Sequence, residues 1–220
     1  MNRGILVISS CTATKLQTQN GLLCAESLYA GQQHLRLMRG IQDYRIAGHP
    51  AGKLRFHILS AFHGLLPSSR RIASYDHSFS GLPTAAIRRQ GKEKNVPTDI
   101  RKLLRKPFDF GMLLLGDPYL RACELNTDIE LGGPLLLLCS PAVAKRMPQI
   151  VGLRTIALAN TEARRFSCGL IALKGELAGR LLSRLAAEPD ELDSLTAPDA
   201  DILQRLGESP RLRRTQPIAA

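Results

Sequence analysis

Five short aliphatic runs recur along this chain, at residues 4–9, 54–61, 110–115, 134–139 and 154–159. Each is too short for a buried helix and ends in small polar or turn-forming residues, so each reads as a buried strand. Helical stretches lie between them. The spacing of Leu28, Leu35, Met38 and Ile41 predicts one helix over 26–44, and another is predicted over 170–187. Shorter helices are predicted from Thr98 or Asp99 to Arg105, over 119–125, and after Ser140-Pro141, where serine caps and proline opens the first turn. Residues 48–53 read as a turn, and 77–98, with two glycines and two prolines, as irregular. Strands alternating with helices predict an α/β fold, a mostly parallel sheet flanked by helices. At 220 residues one domain is the simplest count, over 1–187. A C-terminal portion, 188–220, holds a last short helix over 199–206 and a mobile tail from Ser209.

In open α/β sheets ligands bind beyond the carboxyl ends of the strands. Two of those ends carry the richest chemistry. The first run leads into Ser9-Ser10-Cys11-Thr12-Ala13-Thr14-Lys15. The second closes on Ser60-Ala61-Phe62-His63-Gly64, followed by Tyr75-Asp76. Cys11 with Lys15 four residues on suits a nucleophile, because a nearby cation favours the thiolate. His63 is its candidate base. Asp76 is a candidate to orient His63 or, with Tyr75, to hold a ribose. Ser9, Ser10, Thr12, Thr14 and Ser60 are candidate donors to a phosphate or a base edge, with Gly64 allowing close approach. Gly116 and Asp117 end the third strand and are lining candidates. The loop is neither a P-loop nor a dinucleotide fingerprint, because the glycines both motifs need are missing. Ordinary alternatives stand beside each role: a small buried thiol for Cys11, a structural imidazole for His63, a turn cap for Asp76.

The net charge of +11 favours a polyanionic partner. Arg88, Arg89, Lys92, Lys94, Arg101, Lys102, Arg105 and Lys106 crowd one stretch against only Glu93 and Asp99. That is a candidate footprint for a phosphate backbone, or else a solvated charged face. Arg164, Arg165 and Lys174 follow the fifth strand; Arg164 and Arg165 are further rim candidates, or else part of a solvated basic loop. Aromatic residues make up 5% of the chain with no tryptophan, which argues against a stacking platform for single strands. The five cysteines are scattered with no CxxC pair, so neither a disulfide framework nor a zinc site is expected. No cofactor motif is present, and none is expected. No apolar run approaches the ~18 residues that span a bilayer. The start lacks a signal-peptide core, so the cytoplasm is the expected compartment.

Ser10-Cys11…Lys15, Ser27-Leu28-Tyr29…Gly31, Leu59-Ser60-Ala61…His63-Gly64-Leu65-Leu66 and Tyr75-Asp76, taken together, resemble the YaaA-like group, whose members are often labelled peroxide stress proteins. They also resemble the core domain of archaeosine synthase, where a Cys-x3-Lys motif precedes a serine and a histidine. The resemblance covers about residues 4–180. It implies an α/β fold of that superfamily and a link to DNA, transfer RNA or modified nucleobases. It adds Ser27 and Tyr29 to the candidate ligand residues. Leu16 stands where the archaeosine branch continues Pro-Tyr, and no separate RNA-binding domain follows. The expectation is a nucleic-acid- or nucleotide-directed protein, an enzyme acting on a nucleobase or an N-glycosidic bond in modified-base metabolism. The alternatives are a non-catalytic DNA-binding protein of the oxidative stress response and a small-molecule nucleoside enzyme.

Overall fold

The computed structural model of the chain describes residues 4–17, 21–197 and 199–207. The predicted tail lies outside the described residues. In chain order the elements begin with β1 (Ile5–Ser10), β2 (Leu23–Cys24), α1 (Ala25–Leu28), α2 (Gln32–Ile46), β3 (Leu54–Ser60), β4 (Gly64–Pro67) and β5 (Arg71–Ile72). Then come α3 (Thr84–Glu93), α4 (Val96–Arg105), β6 (Phe110–Leu114), α5 (Asp117–Cys123), β7 (Leu135–Cys139) and α6 (Pro141–Arg146). The chain continues through β8 (Leu153–Ala157), α7 (Asn160–Arg165), α8 (Leu170–Ala187), α9 (Leu192–Thr196) and α10 (Ile202–Gly207). The main sheet runs β4-β3-β1-β6-β7-β8, parallel except for β4. This is the α/β architecture with helices on both faces that the alternation predicts. No described helix is long and apolar enough to cross a membrane.

Strand β1 is buried from Ile5 to Ser9 and sits centrally, between β3 and β6. Its residues alternate between two cores. Ile5 and Val7 pack with Leu37, Ile41 and Tyr44 of α2 and with Leu173, Leu177 and Leu181 of α8. Leu6 and Ile8 face Ile87 of α3, Ile100 and Leu104 of α4, and Leu120 of α5. The link leaving β1 therefore runs to one face and to β3, whereas the link leaving β6 runs to the other face and to β7. A chain that winds in opposite senses from two adjacent strands opens a crevice at their carboxyl ends. That crevice lies directly after Ser10 and Leu114.

Helices α2 and α8 cross with almost no gap. A Cβ on Gly40 would meet the Gly179 carbonyl at 2.1 Å, and one on Gly175 would meet the Gln33 carbonyl at 1.9 Å. Glycine is the one residue that allows such an approach, and it fixes where α8 presents its N-terminal turns.

Several local expectations are corrected. The segment read as one helix over 26–44 breaks at Tyr29–Gly31 into α1 and α2, and the break resets the helical phase. The buried face of α2 is His34, Leu37, Ile41 and Tyr44, while Leu35 is 44% exposed. The stretch 77–98 is not irregular throughout, since α3 occupies 84–93. Gly91 there is a packing glycine against Ala122 rather than a breaker. Pro97 sits in the first turn of α4, where its missing N–H is no loss. The helix predicted over 119–125 starts two residues earlier, at Asp117, and the one over 199–206 is Ile202–Gly207.

Candidate active site

The end of β1 is tied to both of its neighbours. The Cys11 amide donates to the Leu59 carbonyl at 2.9 Å, so the parallel ladder with β3 runs one residue beyond the strand. The loop that follows is sewn onto residues 28–31. Thr12 Oγ1 donates to the Thr14 carbonyl at 2.7 Å and accepts from the Gly31 amide at 3.1 Å. The Ala30 amide donates to Thr14 and the Leu16 amide to Leu28, at 3.0 and 2.8 Å. This short antiparallel stitch brings buried Tyr29 beside buried Cys11.

The end of β3 turns sharply into β4 through Ala61-Phe62-His63. Ser60 is fully buried, and its Oγ accepts from the amides of Phe62 and His63 at 3.1 and 3.0 Å. Gly64 closes the turn at φ +74°, and a Cβ there would meet the Lys94 carbonyl at 2.8 Å. The β3–β4 turn is thereby clamped to the α3–α4 junction.

A chain of hydroxyls crosses the crevice. Ser60 Oγ lies 2.7 Å from Tyr75 Oη, which lies 2.8 Å from Tyr29 Oη. With both lone pairs engaged by backbone N–H groups, Ser60 donates its proton to Tyr75. Tyr75 then donates to Tyr29, whose own hydrogen stays free for a further acceptor. On the other side, Tyr119 from α5 places its Oη 3.0 Å from Cys11 Sγ. The chain has four tyrosines, and three of them gather around this thiol. Burial first, and the Cys11 sulfur second, push all three phenols up, Tyr29 to about 12 and Tyr75 and Tyr119 further. At neutral pH they are proton donors.

Cations and rings close the rim. Lys15 Nζ stands 4.4 Å over the Tyr75 ring, and Lys94 Nζ 5.4 Å over that of Phe62. Phe62 stacks on Tyr75, with centroids 5.2 Å apart and planes at 22°. His63 packs edge-on against both rings. Burial, then the charges of Arg70 and Lys94, hold its imidazole below the ordinary value, so it is neutral at pH 7. Its Nε2 is buried and makes no hydrogen bond.

Of the predicted residues, Cys11, Lys15, Tyr29, Ser60, His63 and Tyr75 come together, framed by Thr12 and Gly64. The Cys11–His63 pairing does not form; the thiol's partner is Tyr119. Ser9 is buried with its Oγ unpartnered, and Ser10 is half-buried at the end of β1. Thr14 is exposed and contributes its carbonyl, and Ser27 is exposed on α1. Gly116 precedes α5 at the crevice, but the Asp117 carboxylate is bound by Arg121 and Arg146. Asp76 is exposed. It makes no hydrogen bond or ion pair to His63, and it lines an open cleft of about 600 Å³ with Gln17, Leu22 and Tyr75. A groove of about 450 Å³ between α2 and α8 is lined by Arg36, Arg39, Arg180 and Arg184 with Asp43, Glu176 and Ser183, away from Cys11.

The basic stretch is partly neutralised. Arg88 and Lys92 share Glu124, Arg89 meets Glu93, and Arg105 meets Glu130 at 3.1 Å. Arg101 donates to the Asn126 side chain. Lys94, Lys102 and Lys106 have no carboxylate partner among the described residues, and of these Lys94 reaches the site. Arg164 and Arg165 are exposed on α7, with Arg165 over the Phe166 ring.

Two contributors, Tyr119 and Phe62, were not among the residues the sequence pointed to. Tyr119 follows a strand end by five residues, a position that carries signal only once β6 is known to flank β1. Phe62 lies inside the motif but reads as core. Lys174, already named with Arg164 and Arg165, interrupts the apolar face of α8. Its Nζ donates to the Leu115 carbonyl at 2.6 Å, beside the Gln33 amide on the Leu114 carbonyl at 3.0 Å. Burial pulls its ammonium down to about 8, with the Cys139 sulfur opposing. No group of His, Cys, Asp and Glu suited to a metal ion occurs among the described residues. Comparison with protein families, with curated proteins and with solved structures finds no match for the chain.

Proposed function

We propose that this protein acts on a nucleobase of a nucleic acid or nucleotide, with Cys11 as the reacting group. The observation that carries this reading is the convergence of Tyr119, Tyr29, Tyr75 and Ser60 on one thiol at the strand-switch crevice, under lysines 15 and 94. Phenols and hydroxyls match the donors and acceptors of a base edge. Lysines at the rim match a phosphate. The likeness of the Cys-x3-Lys and Ser-Ala-x-His-Gly segments to the YaaA-like group points the same way. Between a base and a glycosidic bond, the site favours the base. Glycoside cleavage draws on a carboxylate to stabilise an oxocarbenium-like state, and of the candidate carboxylates Asp76 is exposed and Asp117 is ion-paired.

The step is addition of the thiol across a C=N bond of the ring. The sulfur–carbon bond forms and the π pair moves to nitrogen. The thiol proton passes through the Tyr119 hydroxyl to that nitrogen, so no co-reactant is consumed. The cytoplasm, which keeps thiols reduced, suits such a group.

Intact-mass measurement after incubation with nucleotides, deazaguanine bases and oligonucleotides tests this. The expected result is an adduct on the native protein that Cys11→Ser abolishes. Retained nucleic-acid binding with neither adduct nor turnover rejects it, in favour of a non-catalytic DNA-binding protein. That second reading draws on Lys102 and Lys106, exposed cations with no carboxylate partner among the described residues.

A further inference from the structure

Phe62 is the one aromatic among the exposed large hydrophobic side chains of the described residues, at 45% exposure. A ring of that size costs free energy in water, and here it is held there by a rigid turn. Its amide is fixed on Ser60 Oγ, and Gly64 two residues on is clamped under the Lys94 carbonyl. The stack on Tyr75 supports the ring from one side. Lys94 over the ring is exposed and long, so it is displaceable at little cost. Lys15 stands over the second ring of the stack, and the open cleft lined by Tyr75 lies alongside. The chain is poor in aromatics, yet Phe62, Tyr75, Tyr29, Tyr119, His63 and His77 concentrate here. A low aromatic content spread over the whole chain thus coexists with a local cluster of rings at this crevice.

We infer that the Phe62–Tyr75 stack is a platform for an unpaired nucleobase, with Lys94 and Lys15 taking the phosphates on either side of it. This rests on the nucleobase reading above and narrows it. The ligand is a base out of its duplex, in a single strand, in an extruded nucleotide or in a free nucleoside monophosphate. Stacking on an aromatic face is tolerant of base identity and strong enough to select an exposed base over a paired one. A base seated on Phe62 lies one ring away from the Tyr75–Tyr29 hydroxyls, and so at the entrance to Cys11. Lys94, freed from the ring, gains a phosphate that neutralises it.

The test uses 2-aminopurine, whose emission is quenched by stacking. The full chain is titrated with three probes: a single-stranded oligonucleotide carrying one 2-aminopurine, the same strand annealed to its complement, and 2-aminopurine riboside monophosphate. The single strand should bind at least tenfold more tightly than the duplex, with quenching. Phe62→Ala should weaken that binding by about tenfold or more and remove the quenching, while Phe62→Tyr restores both. Lys94→Ala should weaken binding and flatten its salt dependence without removing the quenching. Melting curves of the variants should overlay the native curve, since Phe62 and Lys94 are surface side chains. Preferential duplex binding, unaffected by Phe62→Ala, overturns the platform and leaves the nucleobase reading standing. Tight binding of the monophosphate with none of the oligonucleotide assigns the platform to free nucleotides and upholds it. Absence of binding by all three probes overturns both.

Discussion

At the residue scale, the site is a set of neutral donors around one thiol, made possible by burial that keeps phenols protonated. Lys174 is the exception, a cation drawn toward the interior that donates to the Leu115 carbonyl. Its folded value of about 8 lies below the ordinary 10.5. Between those two values the unfolded chain binds a proton that the folded chain does not, so stability from this group rises with pH. Below pH 8 the charge is present in both states and the burial penalty is fully felt. Lys174→Met should therefore raise stability at pH 7 and flatten its rise from pH 8 to 10, as the difference between native and variant denaturant midpoints. An unchanged difference across that window would show that the ammonium is well solvated. The difference is the right measure because buried Cys123, pushed up to about 12, gives the opposite slope over part of the same range. None of this was legible locally. The residue's type and its place on an apolar helix face mark it as unusual, but only the arrival of the Leu115 carbonyl, one residue past β6, under α8 says what it meets.

At the element scale, the α3–α4 pair divides the basic stretch into two populations. Arg88 and Lys92 are opposed by Glu124 of the segment after α5, and Arg105 by Glu130. Lys102 and Lys106 are not opposed in this way. Counterion release scales with the phosphates a protein neutralises, at about 0.7 per contact on a single strand and about 0.9 on duplex. The combined Lys102→Ala and Lys106→Ala change should lower the salt slope of nucleic-acid binding by about one to two units. Arg88→Ala with Lys92→Ala should lower it by less, because removing cations already paired leaves Glu124 unpaired and changes the local charge less usefully. Equal slopes for the two double variants in a salt titration would show that the ion pairs open on binding. The sequence exposed the run of charge. It did not expose the partners, because Glu124 and Glu130 lie beyond the next strand and meet the helices only after the sheet is wound.

At the scale of the whole molecule, three buried or half-buried histidines share one acid-side behaviour. Burial holds His34 and His63 below the ordinary 6.5 and pulls His57 to about 4, where Arg55 and Lys106 add to the effect. For a base depressed on folding, the unfolded state takes up protons first on acidification. The stability present above pH 6.5 is lost as pH falls toward 4. Further acidification protonates the carboxylates Glu26, Glu176 and Glu191, which arginines hold below the ordinary carboxylate value against the effect of burial, and their ion pairs are lost. Thermal melts should show Tm lower by several degrees at pH 5 than at pH 7, and His57→Gln should recover part of that loss. A Tm flat from pH 7 to 5 would mean that the imidazoles remain open to water.

What the sequence determined by itself was the five parallel strands of the main sheet and the loops that carry chemistry; β2, β4 and β5 were not read from it. Short aliphatic runs that end in small polar residues specify buried strands, and parallel strands place those ends on one rim. Ser9 to Lys15 and Ser60 to Gly64 were legible for that reason. What only the tertiary structure decided was which side chains meet there. Hydrophobic period is a local property, whereas strand order and register are not. Placing β1 between β3 and β6 brought Tyr119 to Cys11, 108 residues away, and Tyr75 to Tyr29, 46 residues away. It left His63 without the thiol that proximity at two adjacent strand ends had suggested. The break at Tyr29–Gly31 turned α2 by a phase that no periodicity across 26–44 contains. That turn exposed Leu35 and carried Gln33 to the strand end at Leu114.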